Sequence, residues 1–236
     1  MARRSRIGDP ETARRRLGEL INELPERLRS GTVSEQVCSL VEVHLQLRAI
    51  GAYIGASLAS SRADSGRARL LAYLRHQVGR IVHTEELMIV GGIGDYPRRV
   101  RELRAKHGWP IISGMAVRDM HEDDRSQPIP AGLELSNMMP EEYLLIEDRQ
   151  DPDAVRRWKS AARVSKESSS RKEALHTYFR QSPGQRITAE ELRFVSGNDS
   201  SWPSLVRLLK IEGERVSSCA FGNSDLPPGI YIFDEL

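Results

Sequence analysis

Cysteine is scarce in this sequence, with only Cys38 and Cys219 among 236 residues. The two lie far apart, each in an apolar segment, and neither belongs to a CxxC pair. Isolated thiols can build neither a zinc knuckle nor a disulfide framework. We therefore expect two buried, unpaired cysteines in a reducing cytosol.

Long apolar runs are missing as well. The longest, 49–59 (AIGAYIGASLA), is shorter than the roughly 20 residues that a helix needs to cross a bilayer. The basic start of the chain, 1–16, is not followed by an apolar core and so does not predict a signal peptide. The sequence predicts a soluble, cytoplasmic protein with no membrane partner.

A strong charge imbalance is also absent, because the formal net charge is only +2. Such a chain has no global attraction to polyanions, but its arginines cluster and create local basic faces. Hydrophobic residues at 39% and charged residues at 29% are typical of a globular protein with two or three small domains. This distribution favours a reader of a specific site over a general nucleic-acid coat.

The stretch 95–108 (DYPRRVRELRAKHG) predicts a short basic helix, with Asp95 as N-cap, Pro97 in the first turn and Gly108 at the end. At 100° per residue, the core-facing stripe is Tyr96, Val100, Leu103 and His107, the outward face is Arg98, Arg101, Glu102 and Ala105, and the flanks are Arg99, Arg104 and Lys106. Guanidinium groups on a short helix suit the DNA major groove, where arginine binds guanine and phosphates. The alternative is a solvated surface helix.

The chain contains this unit twice. A shift of 105 residues places Leu70 on Leu175, Tyr73 on Tyr178, Gly79 on Gly184, Glu86 on Glu191, Gly92 on Gly197 and Gly108 on Gly213. A shift of 106 places Tyr96-Pro97 on Trp202-Pro203. Repeated core residues and turn glycines indicate one fold used twice. Helices followed by a hairpin are in winged-helix order, so the predicted fold is mainly α with small β-hairpins (α+β), as tandem winged-helix domains after an N-terminal helical segment.

Four segments follow from this interpretation. They are an N-terminal helical or dimerisation segment (1–63), winged helix 1 (64–149), a linker helix (150–170) and winged helix 2 (171–236).

The first segment predicts two helices. One runs from about Glu11 to Leu28, with Pro25 disturbing its last turns, and the other runs from a cap at Ser34 to Ser60. The second would reach about 40 Å, more than a small domain needs. Its predicted dimerisation stripe is Val37, Val41, Leu45, Ile50, Ile54 and Leu58. Small residues at Gly51, Ala52, Gly55 and Ala56 would let another helix approach closely. A homodimer and an intramolecular helical hairpin both fit this pattern.

The predicted DNA-binding residues come from both copies: Thr84, Tyr96, Arg98, Arg99, Arg101, Arg104, Lys106 and Arg118 in the first, and Ser204, Arg207 and Lys210 in the second. The second basic helix is less basic and more apolar on its outer face, where Leu208 and Ile211 replace Glu102 and Ala105. We therefore expect copy one to read DNA and copy two to support it.

The hairpin connection, or wing, of copy one is longer by 17 residues than that of copy two. It holds Met120, His121, Glu122, Asp123 and Asp124, but such carboxylates in a loop are usually solvated, and we predict no metal and no other cofactor. Arg118 and Arg125 in this wing are better suited to phosphate contacts. The linker helix carries Arg156, Arg157, Lys159 and Arg163, which either follow a DNA backbone or are simply solvated.

Three phrases resemble the DNA-binding portion of bacterial HNH-type, restriction-like endonucleases: RVRELRAKHGWPIISG (99–114), PEEYLLIEDRQDPDAVRRWKSAARV (140–164) and LPPGIYIF (226–233). The resemblance covers about Gly66 to the C-terminus. It implies two winged helices joined by a short linker helix that bears Trp158, with an HNH nuclease domain following in full-length members. This chain stops at Leu236, its six histidines are scattered and it has no CxxC pair, so the resemblance implies DNA recognition without cleavage by this chain.

Three functions compete. The first is sequence-specific binding of double-stranded DNA by a homodimer, as a transcriptional regulator or as the recognition component of a phage-defence or restriction system. The second is a nuclease or nuclease subunit whose catalytic part is missing or supplied by a defence-system partner. The third is a protein–protein scaffold, because tandem winged helices also serve that purpose. No complete catalytic constellation is present, so we expect binding and not catalysis.

Overall fold

The computed structural model of the chain describes residues 9–59, 65–120 and 135–234. The described part is mostly helical, with two three-stranded antiparallel sheets. This confirms the predicted α+β class with its small hairpins.

The elements follow one another in an order that repeats. They are α1 (Pro10–Ser30), α2 (Val33–Ser57), α3 (Gly66–His76), β1 (Ile81–Val82), α4 (Thr84–Gly91), α5 (Tyr96–His107), β2 (Ile111–Ser113), α6 (Gly114–Asp119), β3 (Tyr143–Leu145), α7 (Ala154–Glu167), α8 (Arg171–Arg180), β4 (Ile187–Thr188), α9 (Ala189–Val195), α10 (Trp202–Ile211), β5 (Arg215–Ser217) and β6 (Ile230–Asp234). Short 3₁₀ turns lie at Leu135–Asn137 and Cys219–Phe221.

The chain divides into two compact units. Unit 1 comprises Met1–His76 and Thr84–Arg101, and unit 2 comprises Gln77–His83 and Glu102–Leu236. The first turns of α5 therefore belong to unit 1 and its last turns to unit 2. The predicted division into four segments remains a prediction.

In unit 1, α1 packs against α2, and the bounds of both helices differ from the prediction. α1 continues through Pro25 to Ser30, since its packing against α2, where Leu20 is buried, holds the last turns in place. α2 begins at Val33 and not after Ser34, because Thr32 and Glu35 form a capping box: Thr32 accepts from the Glu35 N–H, and the Glu35 carboxylate accepts from the Thr32 N–H at 2.7 Å.

α4 packs closely against the small residues of α2. A Cβ atom on Gly51 would lie 2.6 Å from the Ile89 carbonyl oxygen, and one on Gly55 would lie 2.5 Å from that of Val90. Glycine at both positions thus allows two helix backbones to approach closely. The predicted close approach exists, and its partner is a helix of the same chain.

One side of the N-terminal half of α2 is exposed, and this corrects one expectation. Cys38 lies there and is exposed, whereas the sequence suggested that both thiols are buried. Cys219 is half-buried. The apolar neighbours of Cys38 had suggested a core position, but α1 packs against another side of this part of α2, where Ser39 is buried, and leaves Cys38 exposed.

α2 is also long and apolar enough to cross a membrane by length and composition, with only 17% of its most apolar window buried. A single helix of this kind is weak evidence for a membrane span, since helices of soluble proteins pass the same test. The sequence had suggested that no apolar stretch is long enough to cross a bilayer, and α2 passes that test of length and composition; the soluble character and the cytoplasmic location remain predictions.

In unit 2 the two sheets have the same strand order, β1-β3-β2 and β4-β6-β5. Their registers also correspond, because Val82 pairs with Tyr143 and Ile187 pairs with Tyr231. These pairs are related by the sequence repeat. The buried core of this unit runs from Ile112 and Leu144 of the first sheet through to Tyr231 of the second.

The repeat extends to backbone conformation. Three glycine pairs related by 105 residues all have positive φ: Gly79 (74°) with Gly184 (65°), Gly92 (60°) with Gly197 (75°), and Gly108 (65°) with Gly213 (104°). Left-handed backbone is open to glycine at little steric cost, which explains why these residues recur. The sequence repeat is therefore a repeat of turns as well as of core residues.

The long wing differs from its prediction at its start. Ser113 caps α6, a short helix where a polar loop was expected, and α6 buries Ala116 and Val117 in the core. Met120 is buried too. The remaining candidate metal ligands, His121–Asp124, and Arg125 lie outside the described residues.

Candidate nucleic-acid interface

α5 shows its predicted faces in part, since Tyr96 and His107 of the inner stripe and Glu102 and Ala105 of the outer face are all half-buried. Val100 and Leu103 are each 1% exposed and form the inner stripe. Arg98 and Arg101 lie on the outer face and are exposed, and the Arg98 side chain retains 64% of its accessible surface with its guanidinium 3.9 Å from the Asp95 carboxylate. Their guanidinium groups therefore face away from the buried stripe of the helix.

The other basic residues of α5 divide into two groups. Lys106 is exposed and Arg99 is half-buried. Arg104 instead turns inward: its Nε donates to the Ile111 carbonyl at 2.6 Å, its guanidinium lies 3.1 Å from the Glu190 carboxylate, and its side chain is only 12% exposed. Arg104 fixes the end of α5 on the protein. This corrects the expectation that Arg104 contacts DNA, because its guanidinium already binds groups of the same chain.

The Arg104 contact belongs to a small buried network. Glu190 accepts hydrogen bonds from both the N–H, at 2.6 Å, and the hydroxyl of Ser113. Glu190 is in the second copy, while Ser113 and Arg104 are in the first. The carboxylate thus binds two elements of the first copy at once.

The other predicted DNA-binding residues of the first copy lie on α4, α5 and α6. Thr84 is the first residue of α4, and its hydroxyl accepts from the Tyr96 hydroxyl at 3.4 Å. Both are half-buried. Arg118 is exposed on α6.

In the second copy, α10 has a mixed outer face. Ser204 and Arg207 are exposed, and so are Leu208 at 39% and Ile211 at 76%. The Lys210 ammonium donates to the Val216 carbonyl at 3.1 Å and lies 4.9 Å from the centre of the Phe221 ring. The outer face of α10 is thus more apolar than that of α5.

The predicted dimerisation residues are mostly exposed. Val37 (53%), Val41 (49%), Leu45 (51%) and Ile54 (50%) present apolar side chains to solvent, whereas Ile50 and Leu58 are half-buried. We call Val37, Val41 and Leu45 the open face of α2.

Arg157 of α7 has neither of the roles that the sequence suggested. It is 2% exposed, its Nε donates to the Glu191 carboxylate at 2.9 Å, and its other nitrogen lies 2.7 Å from Asp151. Tyr178 donates to the same Glu191 oxygen at 2.9 Å. Burial alone would lower the pKa of Arg157, but the Glu191 carboxylate raises it above its ordinary value. Arg157 is therefore a buried structural cation.

The sequence contained a signal for this position. Ala154, Arg157, Ala161 and Val164 follow heptad spacing and are all buried, so periodicity places Arg157 on the inner stripe of α7. Arg156 and Lys159, off that stripe, are exposed.

Within residues 9–59, 65–120 and 135–234, no group of three or more His, Cys, Asp or Glu residues is arranged to hold a metal ion. The same part of the chain does contain a cavity of about 330 Å³ in unit 2, lined by Trp109 and Trp158 among others. No local sequence pattern indicates this cavity, because its lining residues come from segments far apart in the chain.

A family model described as the KpnI N-terminal domain matches residues 67–146 and 172–234. These segments together hold more than half of the chain, and each contains one copy of the repeat. The restriction-enzyme-related character of this family agrees with the resemblance found in the sequence. Searches of curated proteins and of solved structures gave no match.

Proposed function

Because the chain belongs to the KpnI N-terminal domain family, which is restriction-enzyme-related, we propose that it binds double-stranded DNA at a specific sequence as the recognition component of a phage-defence or restriction system. The observation that carries this proposal is the exposed basic face of α5, which presents Arg98 and Arg101 opposite a buried stripe. A transcriptional regulator would use the same face.

The proposed reading module is a winged helix in each copy. Both copies contain a helix, a strand, two helices and two strands in that order, with α6 inserted between the last two strands of the first copy, and both sheets have the first strand of the copy beside the last. In the second copy α8 packs on both α9 and α10. In winged-helix proteins the third helix of this order enters the major groove, and it corresponds here to α5 and α10.

The two copies would contribute unequally. The outer face of α5 is arginine-rich, whereas that of α10 has the exposed apolar residues Leu208 and Ile211 beside Arg207. A guanidinium can donate two hydrogen bonds to guanine, and an apolar side chain cannot. We therefore assign base reading to α5 and a supporting contact to α10.

A homodimer through the open face of α2 is part of the proposal. One heptad stripe of α2 contains Val37, Val41, Gly51 and Gly55. The C-terminal half of this stripe packs against α4. Its N-terminal half continues that packing surface without a described helix to cover it. A second copy of the chain supplies the same apolar stripe, and a two-fold dimer would then bind a palindromic site.

The experiment begins with a random-sequence duplex library, from which sequences that bind the full chain are selected. Affinity for the selected site is measured by fluorescence anisotropy over a range of salt concentrations. Arg98→Ala and Arg101→Ala should each weaken binding by about 1–3 kcal/mol, and Arg207→Ala should weaken it less. Arg29→Ala is the matched control, since Arg29 is 73% exposed on α1 and pairs only locally with Glu26.

Two outcomes would contradict the proposal. If the library yields no enriched sequence and the chain has no duplex affinity at low salt, DNA recognition is excluded. Equal losses at Arg98, Arg101 and Arg207 would contradict the unequal roles of the two copies.

A nuclease subunit is the second candidate, and the restriction-related family favours it. In that case the chain directs cleavage that a partner or another domain performs. Cutting of plasmid DNA by the chain with Mg²⁺ alone would assign the catalysis to this chain instead. A protein scaffold remains the third candidate, supported by the apolar face of α10, and it predicts no salt-dependent DNA affinity.

A further inference from the structure

A cavity of about 330 Å³ lies within unit 2, between the end of α5, the β3–α7 connection and the β4 region. This volume is at the lower end of those found for small-molecule sites, which typically begin at about 300 Å³. The proposed contact of α5 with DNA does not use this cavity.

Two of the three tryptophans of the chain line the cavity. Trp109 and Trp158 are both half-buried, and the Trp158 ring is held by a tilted contact with Phe194, their centroids 5.3 Å apart. Partly exposed indole rings in a concavity offer large flat surfaces for stacking at small conformational cost. The third tryptophan, Trp202, is fully buried elsewhere against Tyr231.

The polar groups of the cavity provide both donors and acceptors. The Gln185 side chain lines it, and its Oε1 atom is buried without a hydrogen-bond partner in the part of the chain that the structure describes. A buried acceptor of this kind is rarely left unsatisfied, so it indicates a ligand donor or an ordered water.

The cationic groups around the cavity differ in their pairing. Arg186 is bound to Glu147 at 2.7 Å and Arg157 to Glu191 at 2.9 Å. Arg149 also lines the cavity and is exposed, and it forms no ion pair with the residues at 9–59, 65–120 and 135–234. Arg149 is therefore the cation best able to meet an anionic ligand group.

We propose that this cavity binds a nucleobase, with its ring on the indole surfaces, its polar edge on Gln185 and a neighbouring phosphate on Arg149. A planar ring with alternating donors and acceptors on its edge satisfies all three features together. A purely apolar aromatic molecule would leave Gln185 unsatisfied. The base has two possible sources, a free nucleotide or a nucleotide turned out of a DNA duplex.

The first arm of the test uses free nucleotides. The four 2′-deoxynucleoside 5′-monophosphates are titrated into the full chain, with 2-deoxyribose 5-phosphate as the ligand that lacks a base. Binding is followed by calorimetry and by the indole N–H signals in a ¹⁵N-labelled sample, assigned with Trp→Phe variants. At least one nucleotide should shift the signals of Trp109 and Trp158 and leave that of Trp202 in place.

The second arm identifies an extrahelical base as the source. A fully paired duplex is compared with the same duplex in which one thymine lies opposite an abasic site. Tenfold tighter binding of the second duplex, lost in Trp109→Ala, assigns the cavity to a base from DNA. Binding of free nucleotides without this preference assigns it to a free nucleotide.

Matched variants separate recognition from stability. Gln185→Leu keeps the side-chain size and should weaken nucleotide binding at least tenfold, and Arg149→Ala should weaken it while leaving affinity for the unphosphorylated nucleoside unchanged. Lys159→Ala, next to Trp158 and exposed, should have no effect. Arg101→Ala should weaken binding of paired duplex as stated above and preserve nucleotide binding, so failure of the DNA proposal is distinguishable from failure of this one.

Several results would overturn the inference. They are affinities weaker than about 1 mM for all four nucleotides together with no preference for the unpaired thymine, equal binding of 2-deoxyribose 5-phosphate, or wild-type affinity in Gln185→Leu.

Discussion

Replacing Arg157 with methionine tests the buried charge network most directly. The substitution keeps a long unbranched side chain and removes the guanidinium that lies 2.9 Å from Glu191 and 2.7 Å from Asp151. Asp151 is 30% exposed and can be solvated, but Glu191 is only 1% exposed. The Glu191 carboxylate would keep its hydrogen bonds from Tyr178 and Thr188 and lose the Arg157 cation.

The magnitude follows from that burial. Removing one partner of a buried ion pair typically costs about 3–5 kcal/mol, because the other charge is left uncompensated. Domains have total stabilities of about 5–15 kcal/mol, so Arg157→Met should remove a large part of the free energy of unfolding. Arg156→Met is the control: Arg156 is the next residue, its side chain is 62% exposed, and we expect a change within about 0.5 kcal/mol.

The assay is guanidinium chloride unfolding followed by far-ultraviolet circular dichroism, with Arg157→Met, Glu191→Gln and the double variant. Because Glu191→Gln removes the negative charge that Arg157→Met leaves behind, the double variant should lose clearly less than the sum of the two single losses. A loss below about 1 kcal/mol in Arg157→Met, or additive losses, would refute the reasoning that the pair acts as one buried unit.

Three further predictions follow. Burial, and after it the Glu191 carboxylate, raises the pKa of Tyr178 well above its ordinary value. The contribution of neutral Tyr178 to the free energy of unfolding is therefore complete below about pH 10 and is lost as the pH rises toward the pKa of the folded state. Tyr178→Phe should flatten the alkaline fall of stability in unfolding curves, and an unchanged fall would contradict this. A Cβ on Gly114 would collide with the Met139 carbonyl, so Gly114→Ala should cost about 3 kcal/mol or more in thermal unfolding, whereas Gly18→Ala, with open space around it, should stabilise α1 by about 0.5–1 kcal/mol. Val37→Glu with Val41→Glu should convert a dimer into a monomer by sedimentation equilibrium at little cost in stability, and a monomeric wild-type chain would exclude the dimer.

The repeat and the buried stripe of α5 were predictable from sequence because both depend on local pattern. Helical periodicity alone places Val100 and Leu103 inside, and Gly79 and Gly184 recur because their turns need left-handed backbone. The start of α2 was predictable too, although it was placed two residues late: Thr32 and Ser34 are both good caps, and only Thr32 has a glutamate three residues later to complete a capping box.

The candidate site was only partly predictable, because its other determinants are distant in sequence. Arg104 lies on a flank of α5, and whether it turns to solvent or inward depends on Glu190, which is in the other copy. The nucleobase cavity needs Trp109, Trp158 and Gln185 together, and these belong to segments that no local pattern connects. Periodicity could have identified Arg157 as buried, since it shares the inner stripe of α7, but it could not have identified its partner Glu191.

The two copies share a pair of adjacent glutamates, and the second glutamate of each pair accepts a hydrogen bond from a tyrosine. In the second copy Glu190 binds Arg104 and Ser113, and Glu191 binds Arg157 as well as Tyr178. In the first copy Glu86, which corresponds to Glu191, likewise accepts a hydrogen bond from Tyr73, which corresponds to Tyr178. The tyrosine–glutamate contact is therefore the part that the duplicated fold requires.

Glu190 and Glu191 also contact arginines that lie outside the second copy. Through them the second copy binds the end of α5 and the linker helix α7, so its helices α9 and α10 are tied to the rest of unit 2. The C-terminal end of α5 is thereby fixed within unit 2 through Arg104, while Arg98 and Arg101 are exposed on the earlier turns of the same helix.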